Sequence, residues 1–244
     1  MEGLEERVEI KVKDSIARIS FFSNKSNSLS VNLIQKVITE LKKQSSDDSC
    51  RTIIIESQGD GVFCAGASLT ELESCKTKEA AEAIFHGFAD LINCMRKTGK
   101  FVICKVQGKA LGGAVGIIAS SDYVLALDTA LVKLPELSVG IGPYAISASV
   151  ERKVGLSAFS EMSIDCEWKD AKWCLQKGLF NKLFATHIEL EEAVLDFAKH
   201  LSKLDKSAST ELRKLIWQGT ENWDQLLKER AGISAALLMK KKHN

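Results

Sequence analysis

Strand-like runs alternate with helical patterns as far as Leu134, and beyond Pro143 only helical patterns remain. A chain written this way has few choices. The alternation calls for an α/β core, and the tail for a helical C-terminal part. Val8–Val12 and Ile16–Phe22 alternate apolar and polar residues around Lys13-Asp14-Ser15, a β-hairpin pattern. Ser30 can cap a helix with Leu33, Ile34, Val37, Ile38 and Leu41 at helical spacing. Thr52–Ile55 is β-branched and reads as a buried strand. Glu79–Arg96 reads as a long helix, Phe101–Val106 and Tyr123–Leu127 as strands, and Leu131–Leu134 as a short one. Helical patterns then cover 143–155, 157–164, 168–177, 189–203, 209–217 and 222–240.

The stretch from Lys105 to Pro143 carries most of the chemistry. Gly112-Gly113 opens an apolar helix, whose first N–H groups lack intrahelical partners and whose dipole is positive there. Such an end suits a phosphate or the oxygen of a polarised carbonyl; equally, the glycines can serve close helix–strand packing. A second glycine turn, Phe63-Cys64-Ala65-Gly66-Ala67, offers an exposed N–H at Ala67 or is an ordinary loop of small residues. Glu136 stands among Leu134, Leu137, Val139 and Ile141. A carboxylate held among apolar groups has a raised pKa and can move protons near neutral pH, whereas most glutamates simply face water. His86, on the Glu79–Arg96 helix, can reach a pocket or be a satisfied histidine on a helix face, the plainer reading. Gly140-Ile141-Gly142-Pro143-Tyr144-Ala145 fits a GxGxxA pattern but lacks the preceding strand and first-βαβ position of a dinucleotide site.

Bulk properties narrow the classes. The 244 residues fit one large domain or a domain with a small appendage. A formal net charge of +1 gives no footprint for nucleic acid or an anionic membrane. Seven cysteines without a CxxC pair, and four histidines, point to free thiols rather than a disulfide framework or zinc site. The acidic opening residues and the absence of a long apolar run predict no secretory signal and no membrane span, hence a cytoplasmic protein or a processed organellar one.

Four segments together give a resemblance. Asn27-Ser28-Leu29-Ser30, FCAGASL (63–69), VQGKALGGAVGIIASSDYVLA (106–126) and LPELSVGIGP (134–143) are similar, in this order and spacing, to the enoyl-CoA hydratase/isomerase family, the crotonase superfamily. Asp170–Trp173 and Gly178–Phe180 match weaker family segments. The resemblance implies an α/β fold: a crotonase-like spiral of ββα units over residues 1–185. A helical region over 186–244 would mediate trimers that pair into hexamers. It implies an acyl-CoA thioester substrate, coenzyme A being part of that substrate, with no other cofactor and no metal. Carried over residue by residue, Ala67 and Gly113 become the donors of an oxyanion hole, and Glu136 the proton carrier. Ala65, Gly66 and Leu69 become backbone contacts for coenzyme A, with Gly112, Gly116 and Tyr144 completing the expected substrate-binding set.

The departures bear on the chemistry. Typical hydratases carry a first glutamate where this chain has Gly116, an aspartate where it has Ser68, and a glycine-rich run where it has Tyr144-Ala145-Ile146-Ser147. Family isomerases keep a glutamate at the Glu136 position and lack the first one. The sequence therefore predicts single-glutamate proton transfer on an enoyl-CoA, by double-bond isomerisation or hydration. The rivals are an acyl-CoA-binding homologue with reduced or no catalysis and a nucleotide-dependent oxidoreductase.

Overall fold

Residues 4–243 are described in the computed structural model; Met1–Gly3, part of the acidic opening read above, lie outside them. The predicted hairpin is β1 (Glu6–Lys13) and β2 (Ile16–Ser23), paired antiparallel with Lys13 opposite Ile16. Asp14 and Ser15 turn the chain at φ 53° and 62°, in the left-handed region that polar turn residues tolerate. Helix α1 (Val31–Ser46) starts at Ser30, whose hydroxyl accepts the Leu33 N–H at 3.0 Å. Strands β3 (Thr52–Ser57), β4 (Phe101–Val106), β6 (Tyr123–Leu127) and β9 (Lys182–Phe184) extend the hairpin into a six-stranded sheet, each parallel to its predecessor in the order β1-β2-β3-β4-β6-β9. Parallel strands buried on both faces read as unbroken apolar runs, as β3, β4 and β6 do.

A second, smaller sheet forms beside the first. It contains β5 (Ala110–Leu111), β7 (Leu131–Lys133) and β8 (Lys169–Asp170), in that order. Parallel bridges Leu29–Ala67 and Cys64–Ala110 prolong it. Strands β2, β3, β4 and β6 are each followed by a short extended piece beside the large sheet and then by a helix, which makes the chain a spiral of ββα turns. The helices are α2 (Leu69–Ser74), α3 (Lys78–Lys97) and α4 (Gly113–Ala119). After β7 come two 3-10 turns, Leu137–Val139 and Tyr144–Ile146, and then α5 (Ser147–Asp165), broken at Gly155 (φ 79°). The helical stretch read from Pro143 therefore begins at Ser147. The short pieces β5, α2, β8 and β9 carry no periodicity that would announce them.

The tail is helical: α6 (Ala171–Gln176), α7 (His187–Lys203), α8 (Lys206–Ile216) and α9 (Trp223–His243). Helix α7 lays Leu190, Val194 and Ala198 on Ile54, Ile103 and Leu125, covering one face of the large sheet. Helix α9 packs along α3 of its own chain and on the Tyr144–Ile146 turn. Between them, Arg213 of α8 ties Asp122 (2.9 Å) to the end of α3, donating to the Met95 and Arg96 carbonyls at 2.7 Å each. Lys241 and Lys242 near the end of α9 reach other segments of the chain. Lys241 donates to the Val139 carbonyl at 3.0 Å, and Lys242 to those of Glu73 and Cys75 at the end of α2, at 2.8 and 2.7 Å. Among the described residues no helix is long and apolar enough to cross a membrane.

Candidate active site

Three consecutive turns of the spiral bring the predicted residues together. Backbone pairing of Cys64 with Lys109 (3.1 Å) and Leu111 (3.0 Å) sets the first glycine turn beside the second. The Gly112 N–H donates to the Lys133 carbonyl at 2.9 Å and sets the second beside the segment that carries Glu136. The approach is close enough to require glycine. An ideal Cβ on Gly66 (φ 80°) would stand 2.6 Å from the Leu111 carbonyl oxygen and 3.5 Å from the Gly113 nitrogen. A Cβ on Gly113 would stand 2.5 Å from Phe88 Cζ. Both turns are spent on bringing backbone to backbone.

Two N–H groups are left over. Leu29 pairs with the Gly66 carbonyl (2.8 Å) and Ser68 donates to the Leu29 carbonyl (2.9 Å), so the Ala67 N–H faces the other way. Gly113 is the first residue of α4, where an N–H has no intrahelical acceptor. Among the described residues neither donates to another protein group.

Glu136 closes the third side. Its carboxylate lies against Gly112, where a Cβ would be 2.8 Å from Oε1. Part of the residue is accessible, but Oε2 is fully covered and has no hydrogen-bond partner among the described residues. Burial pushes the carboxyl up to about 7, opposed only by a hydrogen bond from its own backbone N–H. The Glu136 carbonyl accepts the N–H groups of Val139 (3.2 Å) and Ile141 (3.0 Å), which fixes the loop that aims the side chain. Cys64, beside the site, is no nucleophile: full burial pushes its thiol up to about 12.

A cavity of about 630 Å³ contains Ala65, Gly66, Ala67, Leu69, Gly112, Gly113 and Glu136 in its wall. Leu69 is at the mouth, 65% exposed. Gly116 and Tyr144, the other two predicted substrate contacts, are not in that wall. Gly116 is buried, and a Cβ there would meet Ile146 Cγ2 at 2.5 Å and Ile146 Cβ at 2.8 Å. Tyr144 lies over Gly142 and faces a separate cavity of about 350 Å³ beside Arg230. His86 is satisfied, its Nε2 standing 3.3 Å from the Lys228 carbonyl. The GxGxxA segment is a loop between two 3-10 turns, without the strand and helix of a dinucleotide site. Sequence reasoning missed the apolar inner wall of Phe85, Phe88, Ile141 and Ile146, and missed Ser234 of α9. Their helical spacing marks them as buried without saying what they are buried against.

This geometry can hold one oxygen between two N–H groups with a carboxylate alongside. Known proteins similar to this chain bear on what it does with that arrangement. The family model described as enoyl-CoA hydratase/isomerase matches residues 11–240. Human mitochondrial methylglutaconyl-CoA hydratase is 29% identical over 199 residues, which are 80% of this chain and 58% of that protein. Carboxymethylproline synthase of Pectobacterium carotovorum is 28% identical over 171 residues, 70% of this chain and 68% of that one. Among solved structures, an enoyl-CoA hydratase from Bacillus halodurans superposes with a TM-score of 0.88 at 20% identity, covering 96% of this chain and 98% of the other. An enoyl-CoA hydratase from Bacillus anthracis gives 0.82 at 20% identity, covering 92% and 88%. The fold is the crotonase fold, and the chain belongs to the enoyl-CoA hydratase/isomerase family.

Proposed function

We propose that this protein is an acyl-CoA enzyme that moves one proton with Glu136 while the Ala67 and Gly113 N–H groups hold the thioester oxygen. The ionised carboxylate takes a C–H proton from an enoyl-CoA. The electron pair left behind spreads onto the thioester oxygen as an enolate, where two aimed donors stabilise the developing charge. Glu136, now a carboxylic acid, returns the proton to another carbon, and the double bond has shifted. A carboxyl near 7 suits both halves, because it is neither too weak a base nor too weak an acid. Ala65, Gly66, Leu69 and Gly112 contribute the coenzyme A side of the cavity.

The single observation that carries this reading is the Glu136 carboxylate in a largely apolar inner wall, its buried Oε2 without a hydrogen-bond partner among the described residues. The place of a second acid is taken: the Ile146 side chain fills the space beside Gly116. Isomerisation needs one base and no held water, so it is the favoured subtype. Hydration is the second reading, favoured by the relatives' names, with Glu136 alone holding the water. The test is to supply 2-enoyl- and 3-enoyl-CoAs and analyse the products. Isomerisation leaves the mass unchanged and moves the double bond; hydration adds one water. Tight binding of every ester with turnover of none would overturn the enzyme reading and leave an acyl-CoA-binding homologue. The same proposal takes the protein as a cytoplasmic trimer or hexamer assembled through its C-terminal helices, which light scattering checks.

A further inference from the structure

Helix α9 contributes one residue to the cavity wall among the described residues, Ser234. Ser234 is 1% exposed. Its nearest hydrogen-bonding neighbour is the Gly142 carbonyl oxygen, at 3.5 Å, beyond the roughly 2.5–3.0 Å of an O–H···O bond. Three serines at or just past helix ends satisfy themselves by turning back one turn. Ser46 reaches the Lys42 carbonyl at 2.7 Å, Ser120 that of Gly116 at 2.7 Å, and Ser121 that of Ile117 at 3.1 Å. Ser234 makes no such bond to Arg230 among the described residues. A bond this long contributes little, and the same buried face of α9 uses alanine at Ala231 and Ala235. The hydroxyl is thus out of place as packing.

Its surroundings define what would fit. Gly142 shares the cavity wall, so a donor (Ser234 Oγ) and an acceptor (Gly142 O) stand 3.5 Å apart on one side of it. A hydroxyl placed between them can accept from one and donate to the other. The neighbouring wall, Phe85, Phe88, Ile141, Ala145 and Ile146, is apolar. Lys25, the one cation among the described lining residues, is exposed at the mouth with Ser26 and Thr70. A second carboxylate inside would therefore be unpaired and would share the cavity with Glu136, a heavy desolvation cost.

We propose that Ser234 and the Gly142 carbonyl select an acyl-CoA whose chain carries a neutral hydroxyl beyond the reacting carbons. This deepens the acyl-CoA reading above and rests on it. The test measures binding by calorimetry, not turnover. Saturated acyl-CoAs of four, five and six carbons are compared with their ω-hydroxy and ω-carboxy counterparts, on the wild-type protein and on Ser234→Ala. The expected result is about tenfold tighter binding of the ω-hydroxy ester at one chain length. Ser234→Ala would lose that preference and keep its affinity for the plain chain. Equal affinities in the wild type, a preference that survives Ser234→Ala, or tightest binding of the ω-carboxy ester would each overturn the assignment. Failure of every ester to bind would instead overturn the acyl-CoA reading itself.

Discussion

Glu136→Gln separates what the carboxylate does for catalysis from what it does to stability. Burial raises its pKa from 4.5 to about 7, so between those values the folded protein binds a proton that the unfolded chain does not. Stability from this group is complete below about pH 4.5 and is lost as pH rises through 7. Each pKa unit corresponds to about 1.36 kcal/mol, so the full loss is at most about 3.4 kcal/mol, an upper value because part of the residue meets water. Glutamine does not titrate. Its amide brings a separate, pH-independent cost of about 1–3 kcal/mol if its N–H₂ finds no acceptor. The informative quantity is therefore a difference of differences: urea-unfolding free energies of both proteins near pH 5 and near pH 8.5. Relative to wild type, Glu136→Gln should gain about 2–3 kcal/mol on going from the lower pH to the higher. In thermal scans that is roughly 5–10 °C for a chain of this size. Groups titrating equally in both proteins cancel. The same variant should be inactive throughout, while wild-type kcat/KM rises with pH to a plateau above about 7. Parallel stability profiles would show that Glu136 is not buried as an isolated carboxyl, and the mechanistic argument would lose its base.

Further outcomes follow from single contacts. Gly116→Ala must push on Ile146 and should cost about 1–3 kcal/mol; in an Ile146→Ala background the same substitution should cost much less in the same unfolding assay. Gly113→Ala collides with Phe88 and displaces one of the two N–H donors, so kcat should fall about 10²-fold with a smaller change in KM. Arg213→Ala leaves Asp122 without its buried partner, the two side chains being 3% and 6% exposed, and should cost about 3–5 kcal/mol in denaturant unfolding. Lys242→Ala frees the end of α2 from α9; limited proteolysis should cut near residues 73–76 faster, with global stability changed by no more than about 1 kcal/mol.

The large sheet was legible because its information is local. Thr52–Ser57, Phe101–Val106 and Tyr123–Leu127 are buried on both faces and so are written as apolar runs. The hairpin, the capped α1 and the long α3 were legible for the same reason. The small sheet was not. Ala110–Leu111 and Lys169–Asp170 are two residues each, too short for any period, and their pairing is decided by how one turn of the spiral stacks on the last. Placement of α9 was also beyond reach. Its apolar spacing fits a buried helix equally well against its own α3 or against another copy of the chain, and only the folded chain brings Ser234 to the cavity wall and Lys242 to the end of α2.

The two central site residues show the limit from another direction. Gly66 and Gly113 are glycine because of atoms 45 or more positions away in one case and 25 in the other, Leu111 O and Phe88. The motif records the result of that crowding, not its cause. Gly116 makes the point more sharply. In the sequence it reads as a missing glutamate. In the folded chain the same position is packed by Ile146, which stands where the family's glycine-rich run would leave space. The two departures are therefore one event in space: a small residue on α4 and a branched one on the following loop fill each other's room. An acid introduced at Gly116 alone has nowhere to go. Hydration could be tested only in a chain where Ile146 had first been cut back to glycine. If such a double variant, still folded, added water to an enoyl-CoA that the parent only isomerises, the packing of Ile146 on Gly116 would be the physical basis of the choice between the two reactions.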